Sequence, residues 1–89
     1  MPNWSNPELQ WDERNIDHII ERHDVQPDEA DQVFMGRRQF RRVGDVYYVL
    51  GQTFEGRKLF LVCVIRGDKI RVISARPMND KEKRSYGRK

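Results

Sequence analysis

At Gln39 the apolar residues of this chain change from a helical spacing to a period of two, and that switch limits the folds open to it. Before the switch, Ile16, Ile19, Ile20 and His23 recur at i, i+3, i+4 and i+7, the pattern of one buried helical face, and Asp12 stands where a helix cap would. These residues predict a helix over 12–23. Asp24-Val25-Gln26 then leads into Pro27. A residue before proline is pushed out of the helical region, so the first helix ends there and a second begins at Pro27. Ala30, Val33 and Phe34 form the inner stripe of that second helix, and Gly36 stops it.

After the switch, Phe40–Val43 and Val46–Leu50 flank Gly44-Asp45 and read as a hairpin. Glu55-Gly56-Arg57 makes the next turn. Lys58–Arg66 is an almost continuous apolar run, which predicts a central strand covered on both faces. Gly67-Asp68 reverses the chain into a strand from Lys69 to Arg76, and Pro77 ends it. Asn79, with Glu82 three residues on, forms a capping box for a terminal helix. The expectation is one small α+β domain over residues 1–89. It has two N-terminal helices packed on one face of a four-stranded, mainly antiparallel sheet, the other face partly open, and a C-terminal helix.

Composition sharpens this outline. A chain of 89 residues supports one modest core, and its single cysteine excludes an internal disulfide. Cys63 lies within the apolar run, so it reads as a small buried residue and not as a reactive thiol, in keeping with a reducing, intracellular setting. No stretch approaches the roughly 20 apolar residues of a membrane helix, and the N-terminus lacks the basic start and apolar run of a signal peptide. A soluble, cytoplasmic protein is expected. The net charge of +3 conceals a steep gradient: two arginines face nine acids up to Gly36, a balance of −7, whereas eleven bases face three acids from Arg57 onward, a balance of +8. One acidic face and one basic face follow, the basic one suited to nucleic acid or an acidic protein.

The basic part concentrates its chemistry in two segments. Lys69–Arg76 and Asn79–Tyr86 deliver guanidinium groups, lysines and a phenol from a strand that ends in a helix. Arginine presents planar donor forks that match phosphate oxygens, so a phosphodiester is the first candidate ligand.

Further residues join these in one arrangement: Trp11-Asp12-Glu13, His23 closing the first helix, Gly56-Arg57 before the apolar strand, Ile73-Ser74-Ala75-Arg76, and Glu82 four residues before Tyr86. In this the chain resembles the BrnT family of toxins, over nearly its whole length from Trp11 to Tyr86. Arg22-His23-Asp24 stands where the family commonly has Lys-His-Gly, and Glu82-Lys83 where it has Glu-Arg; both exchanges keep the cation. Asp24 therefore replaces a glycine at a helix end, a place where positive φ is common and aspartate tolerates it better than most residues. The resemblance implies the fold of the wider RelE/ParE toxin group, a ribonuclease activity that arrests translation, and a BrnA-type, DNA-binding antitoxin as partner in a heteromeric complex. RNA, free or ribosome-engaged, is the implied substrate.

Cutting RNA without a metal or other cofactor requires the neighbouring 2′-hydroxyl to attack phosphorus, with a base, an acid and cations to serve it. No ligand cluster in the sequence has zinc spacing, and His18 and His23 point in different directions on a helix. Arg76 at the strand exit and Arg57 beside Gly56 are the phosphate candidates. His23, a residue type whose unperturbed pKa falls near neutrality, and Tyr86 are the candidates for proton transfer. Glu82 is a third possible base, though its spacing from Asn79 favours the cap. Lys58, Lys81, Lys83 and Arg84 would grip the RNA backbone. Strand alternation puts residues 70, 72, 74 and 76 on one side, hence Arg71 opposite Arg76. Among Tyr47, Tyr48, Phe54 and Phe60 most must be core, while one exposed tyrosine could serve as a platform for a base. Trp11 is expected to staple the first helix to the sheet. Two other classes stay open: a non-catalytic inhibitor of a protein target such as gyrase, and a plain nucleic-acid-binding module. A convergent acid–base pair beside the arginines would separate them from the nuclease.

Overall fold

The computed structural model describes residues 8–87, apart from the side chains of residues 21–23. Capping chemistry sets the first helix, α1 (Glu13–His23): the Asp12 carboxylate accepts from the backbone N–H of Arg14 and Asn15 at 2.9 and 3.2 Å, and the Asn15 side chain accepts from the Asp12 N–H at 2.7 Å. At its far end Asp24 adopts φ 53°, ψ 43°, and the N–H groups of Asp24 and Val25 close back on the carbonyls of Ile20 and Ile19. The backbone at this helix end is thus left-handed, and aspartate occupies the position. Helix α2 (Pro27–Met35) starts with proline at its first position, and the Glu29 carboxylate accepts from the Gln26 N–H at 3.0 Å. Gly36 follows in an extended conformation, so it stops the helix without a left-handed turn.

Among the described residues the sheet has five strands, in the order β1 (Glu8–Gln10), β5 (Lys69–Pro77), β4 (Lys58–Arg66), β3 (Val46–Gln52), β2 (Arg38–Val43). Three successive antiparallel pairings run from β2 to β5, while β1 lies parallel to β5, so the sheet is mixed and carries one strand more than the sequence predicts. Three residues are too few to show an alternation, and β1 finds its partner only through Lys69–Arg71. The two-residue turns behave as read: Gly44 and Gly67 lead them with φ near +61° and +64°.

Helices α1 and α2 cover one face. Ile19, Val25, Ala30, Val33 and Phe34 pack against Val49, Leu59, Leu61, Cys63, Ile70, Val72 and Ala75, all buried. Burial pushes the Cys63 thiol up to about 12, as befits an inert core residue. The central strand β4 is not covered on both faces, however: Leu59, Leu61 and Cys63 are buried, whereas Phe60, Val62 and Val64 on the other side are half-exposed. Among the described residues only the terminal helix α3 (Asp80–Gly87) lies over that second face, where the Gln39 amide donates to the carbonyls of Ser85 and Tyr86. Trp11 packs at the core margin and donates to Asp31 at 3.4 Å, so it ties the start of α1 to α2 and not to the sheet alone. Among the described residues no helix is long and apolar enough to cross a membrane.

One irregularity alters the faces of β5. Val62 pairs with Ser74 but Cys63 pairs with Val72, leaving Ile73 as an extra residue in a bulge. Alternation restarts there, so Arg71 pairs with Val64 and Arg76 with Phe60, both on the open face. The expectation that the two arginines lie on opposite faces is therefore overturned.

At Gly51 the sheet and α2 meet without room for a side chain: a Cβ there would lie 2.6 Å from Cγ1 of Val33. Gly51→Ala is expected to destabilise the fold by about 1–3 kcal/mol through overpacking. The denaturant midpoint should fall at unchanged slope, and Val33→Ala should be less costly in that background than alone.

Candidate functional site

The candidate site begins where β5 ends. Pro77 stops the strand, the Met78 N–H bonds the Lys58 carbonyl at 3.0 Å, and buried Met78 pins the corner. Asn79 then caps α3: its side chain accepts from the Glu82 N–H at 2.8 Å, and the Glu82 carboxylate accepts from the Asn79 N–H at 2.9 Å. The same reciprocal cap turns Glu82 towards the sheet, where Arg76 grips both its carboxylate oxygens at 2.8 Å. The Arg76 guanidinium also lies 4.2 Å from the Phe60 ring centroid and donates to the Pro77 carbonyl.

These bonds use three of the five N–H donors of Arg76, which leaves two for a ligand. Its side chain is one-third exposed, so the pair is open to solvent on one side. The Arg76 hydrogen bonds hold the Glu82 carboxyl below the usual glutamate range, with the Asn79 N–H helping and partial burial opposing. Glu82 is thus ionised at neutral pH, and it raises Arg76 in turn.

In front of this pair the open face of the sheet and α3 enclose a basin of about 650 Å³, lined by Arg41, Tyr48, Phe60, Arg76, Lys81 and Glu82 among others. Tyr48 and Phe60 meet on its floor with ring centroids 5.0 Å apart and planes inclined at 60°. Arg41 and Lys81 are exposed at its rim. Cationic rim, aromatic floor and an arginine with donors to spare suit a polyanion that carries flat bases.

The predicted site residues are not all brought together. Arg76 and Lys81 line the basin; Lys83 and Arg84 are exposed on α3 and Lys58 is exposed at the start of β4. Arg57 is on the other side of the sheet, where it bonds Glu29 at 3.0 and 3.2 Å and the Asp24 carbonyl at 2.9 Å, clamping the elbow between α1 and α2. His23 ends α1 beside that elbow; its side chain lies outside the described residues. Tyr86, expected to face the substrate, is buried instead. Its hydroxyl donates to the Arg37 carbonyl at 2.8 Å and its ring lies under the Arg37 guanidinium at 4.1 Å, which fastens α3 to the start of β2. Arg71 reaches Asp12 at 2.7 and 3.0 Å, and this contact holds the Asp12 carboxyl down at about 2.

Arg41 escaped the sequence reading although a signal was there. A two-residue turn at Gly44-Asp45 fixes the hairpin register, which sets Arg41 opposite Tyr48. Spacing from Asn79 favours the cap for Glu82; the geometry gives it both the cap and Arg76.

With this geometry in place, comparison with known proteins is informative. Residues 11–82 match the pattern of a family described as ribonuclease toxin, BrnT, of type II toxin-antitoxin system. That span contains Arg57, Arg76 and Glu82 and stops short of Tyr86. No curated protein matches the chain.

The Arg76–Glu82 pair has a measurable signature in acid. A depressed carboxyl contributes stability that is fully present above its ordinary value of 4.5 and is lost as pH falls through the lower folded value. A carboxyl-carbon NMR titration should find Glu82 protonating below the ordinary glutamate range, and Arg76→Ala should return it towards that range. An unshifted Glu82 in the parent protein would mean that the pair does not form in solution.

Proposed function

The chain belongs to the BrnT family of ribonuclease toxins of type II toxin-antitoxin systems, and from that premise we propose that it is a metal-independent endoribonuclease whose reaction centre is the Arg76–Glu82 pair. The observation that carries this reading is the basin itself, where an arginine with free donors and an ionised carboxylate meet above an aromatic floor.

In the proposed reaction the 2′-oxygen of one nucleotide attacks the adjacent phosphorus. The bond from 2′-oxygen to phosphorus forms as the bond from phosphorus to the 5′-oxygen breaks, leaving a 2′,3′-cyclic phosphate and a 5′-hydroxyl. The 2′-hydroxyl proton passes to Glu82, whose Oε2 accepts only one hydrogen bond in the described structure. The departing 5′-oxygen takes its proton from water, and the proton on Glu82 neutralises the hydroxide left, restoring the carboxylate. The two uncommitted N–H groups of Arg76 hold the phosphate oxygens and stabilise the added charge. A carboxylate held so firmly ionised is a modest base, so Arg76 supplies the larger share of the acceleration. Lys81 and Arg41 steer the RNA backbone in, and Lys83 and Arg84 extend the cationic track along α3. Arg57 and Tyr86 serve this centre from a distance as struts.

Translation arrest would follow from loss of messenger RNA. The regulator is a BrnA-type antitoxin, whose acidic and apolar groups cover the basic face; exposed Val43, on the same side of β2 as Arg41, offers such a partner an apolar anchor. A stoichiometric complex with that antitoxin should lose binding of single-stranded RNA, and a complex that still bound RNA as the free toxin does would place the antitoxin elsewhere.

Cleavage of single-stranded RNA by the purified protein in EDTA is the direct test. Arg76→Ala, shown to be folded by circular dichroism, should cut at least about 100-fold more slowly. If it cuts as fast as the parent, the reaction centre is not here.

A further inference from the structure

We infer that Tyr48 is the base-recognition residue of this basin: a nucleobase of single-stranded RNA next to the scissile phosphate lies on its ring, with Arg41 at the adjoining phosphate. The inference rests on the basin being the RNA site and adds the group that holds the substrate's base.

Tyr48 is the one tyrosine placed for this. Tyr86 is buried with its hydroxyl engaged, and Tyr47, paired with Cys63, is on the helix-covered side of the sheet. Tyr48, paired with Val62 on one side and Arg41 on the other, is half-buried in the floor of the basin. Strands bonded on both flanks hold its backbone, so the ring is presented without a loop to order first. Leu50 and Val62 complete an apolar surround, which favours a flat base over water.

Its neighbours set the direction of the chain. The Tyr48 ring meets Phe60 at 5.0 Å, and Phe60 in turn carries the Arg76 guanidinium at 4.2 Å. A base on Tyr48 therefore sits one aromatic ring away from the cation that takes the phosphate. Arg41 lies directly across the strand pair from Tyr48 and is exposed, within reach of the next phosphate. Reaching a ring at the bottom of a basin requires an unstacked base, so duplex RNA is excluded.

The test is fluorescence anisotropy with a labelled single-stranded 2′-O-methyl RNA, which lacks the attacking hydroxyl and cannot be cut. Tyr48→Leu keeps apolar bulk but removes the ring, and it should weaken binding about 5- to 100-fold at an unchanged salt slope. Tyr48→Phe keeps the ring and the fold and should stay within about 3-fold of the parent. Arg41→Ala should weaken binding and lower the salt slope by about 0.7. A duplex of the same sequence should be indifferent to Tyr48. The inference fails if folded Tyr48→Leu binds the single strand as the parent does, if the parent does not bind it, or if Tyr48→Leu loses only antitoxin binding. Because the oligonucleotide is never cut, ring-dependent binding by a protein that cleaves no RNA would sink the nuclease reading alone.

Discussion

The bulge at Ile73 underlies the proposed site, because it fixes which side of the sheet Arg76 occupies. Along an unbroken strand, Ile70 and Val72 in the core would be followed there by Ser74 and Arg76, and a guanidinium would be driven into an apolar interior at prohibitive cost. The extra residue opposite the Val62–Cys63 step resets the alternation, so Ala75 faces the helices and Arg76 the open side. Asn15 braces the same spot. Its buried side-chain amide donates to the carbonyls of Gln10 and Val72 at 2.9 and 3.1 Å, satisfying backbone groups where β1 ends and the bulge begins. A small polar side chain on α1 thereby supports a charge on the far face of the sheet.

The parts of the fold that were legible in the sequence are those specified by neighbouring residues. The caps at Asp12 and Asn79, the proline start of α2, the glycine-led turns and the left-handed tolerance of Asp24 depend on contacts within a few positions, and each appears as read. What could not be read depends on distant partners. The short β1 has no pattern of its own, and nothing in Val72-Ile73-Ser74 marks a bulge. The site shows the same division. Arg76 is legible as a candidate from its place at the strand exit and Glu82 from the cap, and the two are found paired. Whether Tyr86 or Tyr48 faces the basin turns on how α3 lies across the sheet, which composition and spacing do not reveal.

The charge gradient along the chain becomes a division between layers. The acids of α2 lie on the helix side, where Arg57 meets Glu29, and Arg71 reaches from the open face to Asp12 at the start of α1, so part of that negative charge stitches helices to sheet. On the opposite side Arg41, Lys81, Lys83 and Arg84 are exposed. Surface ion pairs contribute little to stability singly, and the charge division would act mainly on orientation, since a polyanion would meet a repulsive helical layer on one side and an attractive basin on the other.

The parallel pairing of β1 with β5 also has a kinetic meaning. Each hairpin of the sheet closes over two to five residues, whereas the Asn15–Val72 and Asp12–Arg71 bonds join points 57 and 59 residues apart. Closing so long a loop costs about 3 kcal/mol more in chain entropy than closing a tight turn. During synthesis, then, β1 and the start of α1 wait for almost the entire domain before their partners exist. The meander from β2 to β5 forms from local contacts first, and the N-terminal segment, though made earliest, docks last.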